Sequence, residues 1–165
     1  MKAVLKNSGL ATRRERRKVR GHAALYHEWW LALASQYLDA YRKLPVPSRP
    51  VPPYWPRYFL LGHSVELVFK GFLGRKGLAE AQLEEFGHNI RPLLKKACQQ
   101  GLTLPRRVRA TIARLDDIHA EHWARYPKNH SAPTIIVEEF EPAVDKLFSA
   151  VADQTGGLWS TMVKF

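Results

Sequence analysis

The chain has 165 residues, a formal net charge of +11 and 45% hydrophobic residues, enough for one folded domain with a sizeable core. That apolar content and five Trp exclude a disordered polyelectrolyte. A single cysteine, Cys98, excludes an intrachain disulfide and a cysteine-built zinc site.

Residues 1–20 hold eight Lys or Arg against one Glu, a charge of +7, which leaves +4 for the remainder. They read as a basic flexible arm suited to phosphate backbones, with Arg13, Arg14, Arg16, Arg17, Lys18 and Arg20 as candidate nucleic-acid contacts. No apolar signal-like stretch stands in the first ten residues, and no apolar run reaches the about 18 residues of a spanning helix, so a cytoplasmic protein without membrane contact is expected.

Residues 21–155 read as the helical domain and 156–165 as a tail. The first long helix is expected over 22–42. Leu25, Trp29, Leu33, Tyr37 and Tyr41 form an apolar line at spacing four, widened by Trp30, Ala34 and Leu38. Six prolines between Pro45 and Pro56 then force an extended connection.

The second helix is expected over 55–73. Leu60, Leu61, Ser64, Val65, Val68, Phe69 and Phe72 give it a broad buried stripe, and Gly74 and Gly77 supply stop signals. Glu66 and Lys70 stand four residues apart, acid first, and read as a partly buried structural pair. A short turn of helix is expected within 78–86.

Gly87-His88-Asn89-Ile90 then opens a third helix over 89–100. His88 sits at its entrance, Asn89 is its natural N-cap, Ile90, Leu93, Leu94 and Ala97 face inward, and Gly101 is its stop. A fourth helix is expected over 104–123, with Val108, Ile112, Leu115 and His119 on one face and Arg106, Arg107, Arg109 and Arg114 on others. Arg106, Arg107 and Arg109 are candidate phosphate contacts. A fifth is expected over 138–153, carrying Phe140, Val144, Leu147, Phe148 and Val151, with Pro142 in its first turn and Gly156 as its end.

A helix bearing His63-x2-Glu66-x3-Lys70, followed by Gly87-His88-Asn89-Ile90 at the head of the next helix, resembles the bacterial HEPN-like helical proteins. Arg125-Tyr126-Pro127 also looks like these proteins. The resemblance implies an all-α, antiparallel bundle of about five helices that forms a homodimer. In members that cut RNA it implies metal-independent cleavage by an Arg and a His near the last core helix. A base removes the 2′-hydroxyl proton, that oxygen attacks phosphorus, and a fixed cation stabilises the phosphorane. DNA lacks that hydroxyl, so RNA is the expected substrate.

Two Arg/His pairs are worth weighing for that role. Arg114 and His119 lie on one expected helix, where five residues turn about 140° and the side chains diverge. Arg125 and His130 flank Pro127, so the backbone can bend and bring them together. They are the candidate catalytic pair, although Tyr126 stands where cutting members carry a polar residue.

Two functions follow. One is an RNA-associated protein, an endoribonuclease of defence or toxin–antitoxin type. The other is a non-catalytic dimeric module partnering a nucleotidyltransferase-like antitoxin. No cofactor is expected. No metal is expected either, because His119, Glu121 and His122 lack the His-Glu-x-x-His spacing and a third ligand.

Overall fold

The computed structural model describes residues 13–45, with side chains from Tyr26 onward, together with 55–120 and 136–156. Their regular structure is helical throughout: α1 (Arg13–Lys43), α2 (Trp55–Arg75), α3 (Glu80–Glu84), α4 (Ile90–Gln99), α5 (Arg106–His119), a 3-10 turn (Val137–Phe140) and α6 (Glu141–Thr155). Among the described residues the α-helices number six rather than about five, because α3 is a separate five-residue element. Among the described residues no helix is long and apolar enough to cross a membrane.

The first helix begins earlier than its apolar pattern indicates. It opens at Arg13 and runs 31 residues, so position 20 is not a break in secondary structure. Like charges at helical spacing repel, but Arg, Lys, Glu and Ala are strong helix formers, and adding turns to an existing helix costs far less than nucleating one. Arg13, Arg14, Arg16, Arg17, Lys18 and Arg20 therefore lie on the first turns of α1; their side chains, and residues 1–12, lie outside the described residues.

The buried face of α1 also differs from the spacing-four line. Leu31, Ala34, Leu38 and Tyr41 are buried, whereas Trp29 is 65% exposed and Tyr26 40% exposed. A step of four residues rotates about 40° around a helix, so the line from Leu25 to Tyr41 drifts through about 160°. Along it Trp29 faces solvent and Tyr41 lies in the core. The alternating three-and-four spacing of Leu31, Ala34, Leu38 and Tyr41 stays on one face.

Helix α2 is the axis of the molecule and packs against every other helix. Leu61, Val65, Val68, Phe69, Phe72 and Leu73 are fully buried, joined by Tyr58 and Leu67. A helix covered on several sides needs apolar residues around most of its circumference, which is how its sequence reads. The contact with α1 is close. A Cβ on Gly71 would sit 2.6 Å from Leu31 Cγ, and one on Gly74 would sit 2.0 Å from His27 Nδ1. Gly74 is thus a packing residue inside α2 rather than its stop. The stop is Gly77, whose φ of 98° allows Gly77 N and Leu78 N to donate to Gly74 O and Leu73 O.

The same device ends α4 at Gly101, where Leu102 N donates to Ala97 O at 3.0 Å. Ile90, Leu93, Leu94 and Ala97 are buried as their spacing predicts. In α5, Val108, Ile112, Leu115 and His119 are all buried, and Pro105 occupies the N-cap. Gly156 closes α6 in the left-handed conformation.

Candidate functional site

Glu66 lies on the middle of α2 with 2% of its side chain exposed. A carboxylate that deep must be met by donors or shed its charge. Four side chains surround it. Lys70, one turn along, donates from Nζ to Oε1 at 2.7 Å. His119, at the C-terminal end of α5, meets Oε2 through Nε2 at 2.8 Å. His88, in the turn before α4, meets the same oxygen through Nδ1 at 3.0 Å. His63, one turn earlier on α2, brings Nδ1 to 3.5 Å from it.

An ionised carboxylate only accepts hydrogen bonds, so the tautomers follow: His119 carries its hydrogen on Nε2 and His88 on Nδ1. Burial alone pushes the Glu66 carboxyl up. The opposing contacts, His119 first and then His63, Lys70 and His88, outweigh it and hold the group well below the usual carboxylate range. His63 differs from the others. Its Nδ1 is shielded from solvent and, at 3.5 Å, approaches Glu66 without making a hydrogen bond to it.

Local structure brings these groups together. Lys70 also donates to Gly87 O at 2.8 Å, which ties α2 to the Gly87–Asn89 turn and places His88 over Glu66. Gly87 has a φ of 54°, the left-handed region that favours glycine. His119 approaches α2 across Gly62, where a Cβ would lie 2.5 Å from Nδ1. The His63 ring is stacked on Phe59 at 5.4 Å and meets Tyr37 edge-on at 4.6 Å.

The structure thus keeps the Glu66–Lys70 pair with His63 beside it, joins His88 to them, and adds His119. Asn89 is the N-cap residue by position, but its side chain does not cap α4; Nδ2 donates to Phe86 O at 2.9 Å. The buried N–H of Ile90, at the head of α4, donates instead to the carboxylate of Asp116 on α5. That buried Asp116 lies three residues before His119, so one face of α5 serves both the head of α4 and the Glu66 centre.

Arg114 and His119 do diverge. Arg114 reaches Glu139 at 3.9 Å and lies over the Phe140 ring, while His119 faces Glu66. Arg106, Arg107 and Arg109 are exposed. Arg125 and His130, and also Glu121 and His122, lie outside the described residues.

A second buried ionic centre occupies the start of α2. Arg57 is buried, donates to Leu44 O at 2.7 Å, and lies 3.3 and 3.4 Å from Glu138 and Glu141. Its guanidinium covers the Tyr41 ring at 4.3 Å, and the Tyr41 hydroxyl donates to Glu141 at 2.5 Å. Burial first, then the Glu141 contact, pushes the Tyr41 phenol up.

Sequence reasoning misses the joining of His119 to Glu66 and the whole Arg57 centre. A signal for the first is present. His119 ends an apolar stripe, and Glu66 interrupts one, so each needs a polar partner from elsewhere in the core.

No protein-family model matches the chain, and no curated protein or solved structure matches it either.

Proposed function

We propose that this chain is an RNA-associated helical protein of HEPN-like type. The observation that carries the reading is the head of α5. Arg106, Arg107 and Arg109 crowd its first turn, which holds no acidic residue and no side-chain cap. All three are exposed and make no ion pair among the described residues. Cations at a helix N-terminus oppose the helix dipole, so the placement costs the fold and suits an anionic partner. The basic first turns of α1 supply further positive charge, and a polyanion with a regular phosphate spacing matches both.

In this reading RNA cleavage is the work of Arg125 and His130, with His130 as base and Arg125 as the cation for the phosphorane, in a metal-independent endoribonuclease of defence or toxin–antitoxin type. A non-catalytic dimeric module that partners a nucleotidyltransferase-like protein is the second reading. Exposed Trp29 and Tyr26 on α1 favour it, because large aromatics left facing solvent suit a protein interface.

The test is RNA binding across a salt series, with cleavage followed in EDTA. Each phosphate contact on a single strand contributes about 0.7 to the salt slope, so replacing Arg106, Arg107 and Arg109 by Glu flattens it by about 2. An unchanged slope removes α5 from the interface. Cleavage that persists in His130→Ala removes the catalytic pair, and binding without cleavage in the unaltered protein favours the second reading.

A further inference from the structure

The Glu66 centre holds more than a buried acid needs. Lys70 already neutralises Glu66 through Oε1. Oε2 then faces three imidazole nitrogens, from His119, His88 and His63. The first two fill its two acceptor sites. His63 Nδ1 is left shielded from water, aimed at the same oxygen and unpartnered, an arrangement that costs stability unless something else engages it.

We propose that His63 Nδ1, Glu66 Oε2 and His119 Nε2 form a binding site for a first-row divalent transition ion, zinc above all. These three atoms lie within 4.8 Å of one another. Ligand bonds of about 2.0–2.2 Å in tetrahedral geometry place donor atoms about 3.3–3.5 Å apart. The separation from Oε2 is 3.5 Å for His63, within that span, and 2.8 Å for His119, a hydrogen bond that an ion would replace and lengthen. Two imidazoles and one carboxylate suit zinc, whereas calcium and magnesium require a set of oxygens.

The surroundings match what a metal site needs. His63 is held by Phe59 and Tyr37, and His119 is seated against Gly62, so both rings are oriented before an ion arrives. Lys70 bonds the carboxylate oxygen that faces away from the imidazoles and so fixes Glu66 as a one-oxygen ligand. His63 and His88 are partly exposed, which gives the ion a path from solvent. On coordination each ring hydrogen moves to the other nitrogen, so neutral imidazoles bind without net proton release.

The reading is separate from RNA cleavage and stands or falls on ion binding. Metal-free full-length protein is titrated with Zn²⁺ by calorimetry and melted with and without it. One ion per chain and a raised Tm are expected. His63→Ala removes the most accessible ligand, and affinity is expected to fall by more than the about 100-fold that an outer-shell change costs. No binding, or equal binding by a folded His63→Ala, overturns the site. If that variant does not fold, Co²⁺ added to the unaltered chain decides. Broadening of the His63 and His119 ring signals at one equivalent supports the assignment, and broadening confined to other histidines overturns it.

Discussion

Helix α2 carries two buried ions of opposite sign, and their settings differ. Glu66 is an anion enclosed by donors, with His119 5% and Lys70 13% exposed. Arg57 is a cation whose carboxylate partners, Glu138 and Glu141, are 39% and 43% exposed. If Arg57 is lost, its partners turn to water. If Glu66 is lost, His119 and Lys70 are stranded where little water reaches. The comparison teaches that the cost of a buried ion is set by what its partners can do without it.

The largest expected effect is therefore at Glu66. Glu66→Ala leaves buried donors unpaired and is expected to cost about 3–5 kcal/mol in chemical denaturation. It also unties α2 from α5 and from the turn at Gly87. A loss comparable to that of a surface substitution would show that the donors find other acceptors.

A smaller effect is expected at the other centre. Arg57→Met keeps an apolar stem over Tyr41 and releases two half-exposed carboxylates, so the loss is that of a charged hydrogen bond to Leu44 O, about 1.5–3 kcal/mol. Measured side by side, the two variants break the comparison if Arg57→Met proves the more damaging.

How far the residues disclose this depends on range. Glu66 and Lys70 are legible because an i, i+4 pair is fixed by helix geometry alone. The Gly87 turn and the Gly101 stop are legible because glycine is needed for their positive φ. The meeting of His119 with Glu66 is not legible, because 53 residues separate them and only the packing of α5 on α2 joins them. Asn89 misleads for a similar reason: Asp116, 26 residues from Ile90, takes the bond that a local cap would make. On α1 the difficulty is angular, since a spacing-four line crosses from one face to another. The basic residues at the head of α5 are plain in the sequence, but their freedom from acidic neighbours emerges only when Asp116 and Asp117 are seen engaged with Ile90 and Arg91.

The depressed Glu66 carboxyl gives the smallest of the expected effects and the most direct test. In the unfolded chain this group takes up a proton below about pH 4.3, whereas in the fold it stays ionised to far lower pH. The unfolded state then binds more protons, so the contribution of Glu66 is whole above that pH and is lost as pH falls, at up to about 1.4 kcal/mol per unit. Chemical denaturation of the unaltered chain and Glu66→Gln in EDTA, from about pH 5 to about pH 3, measures it against the unfolded value. The account predicts a stability gap that narrows steadily below about pH 4.3. A gap that stays constant down to the lowest pH would contradict a buried, ionised Glu66 at the centre of the fold.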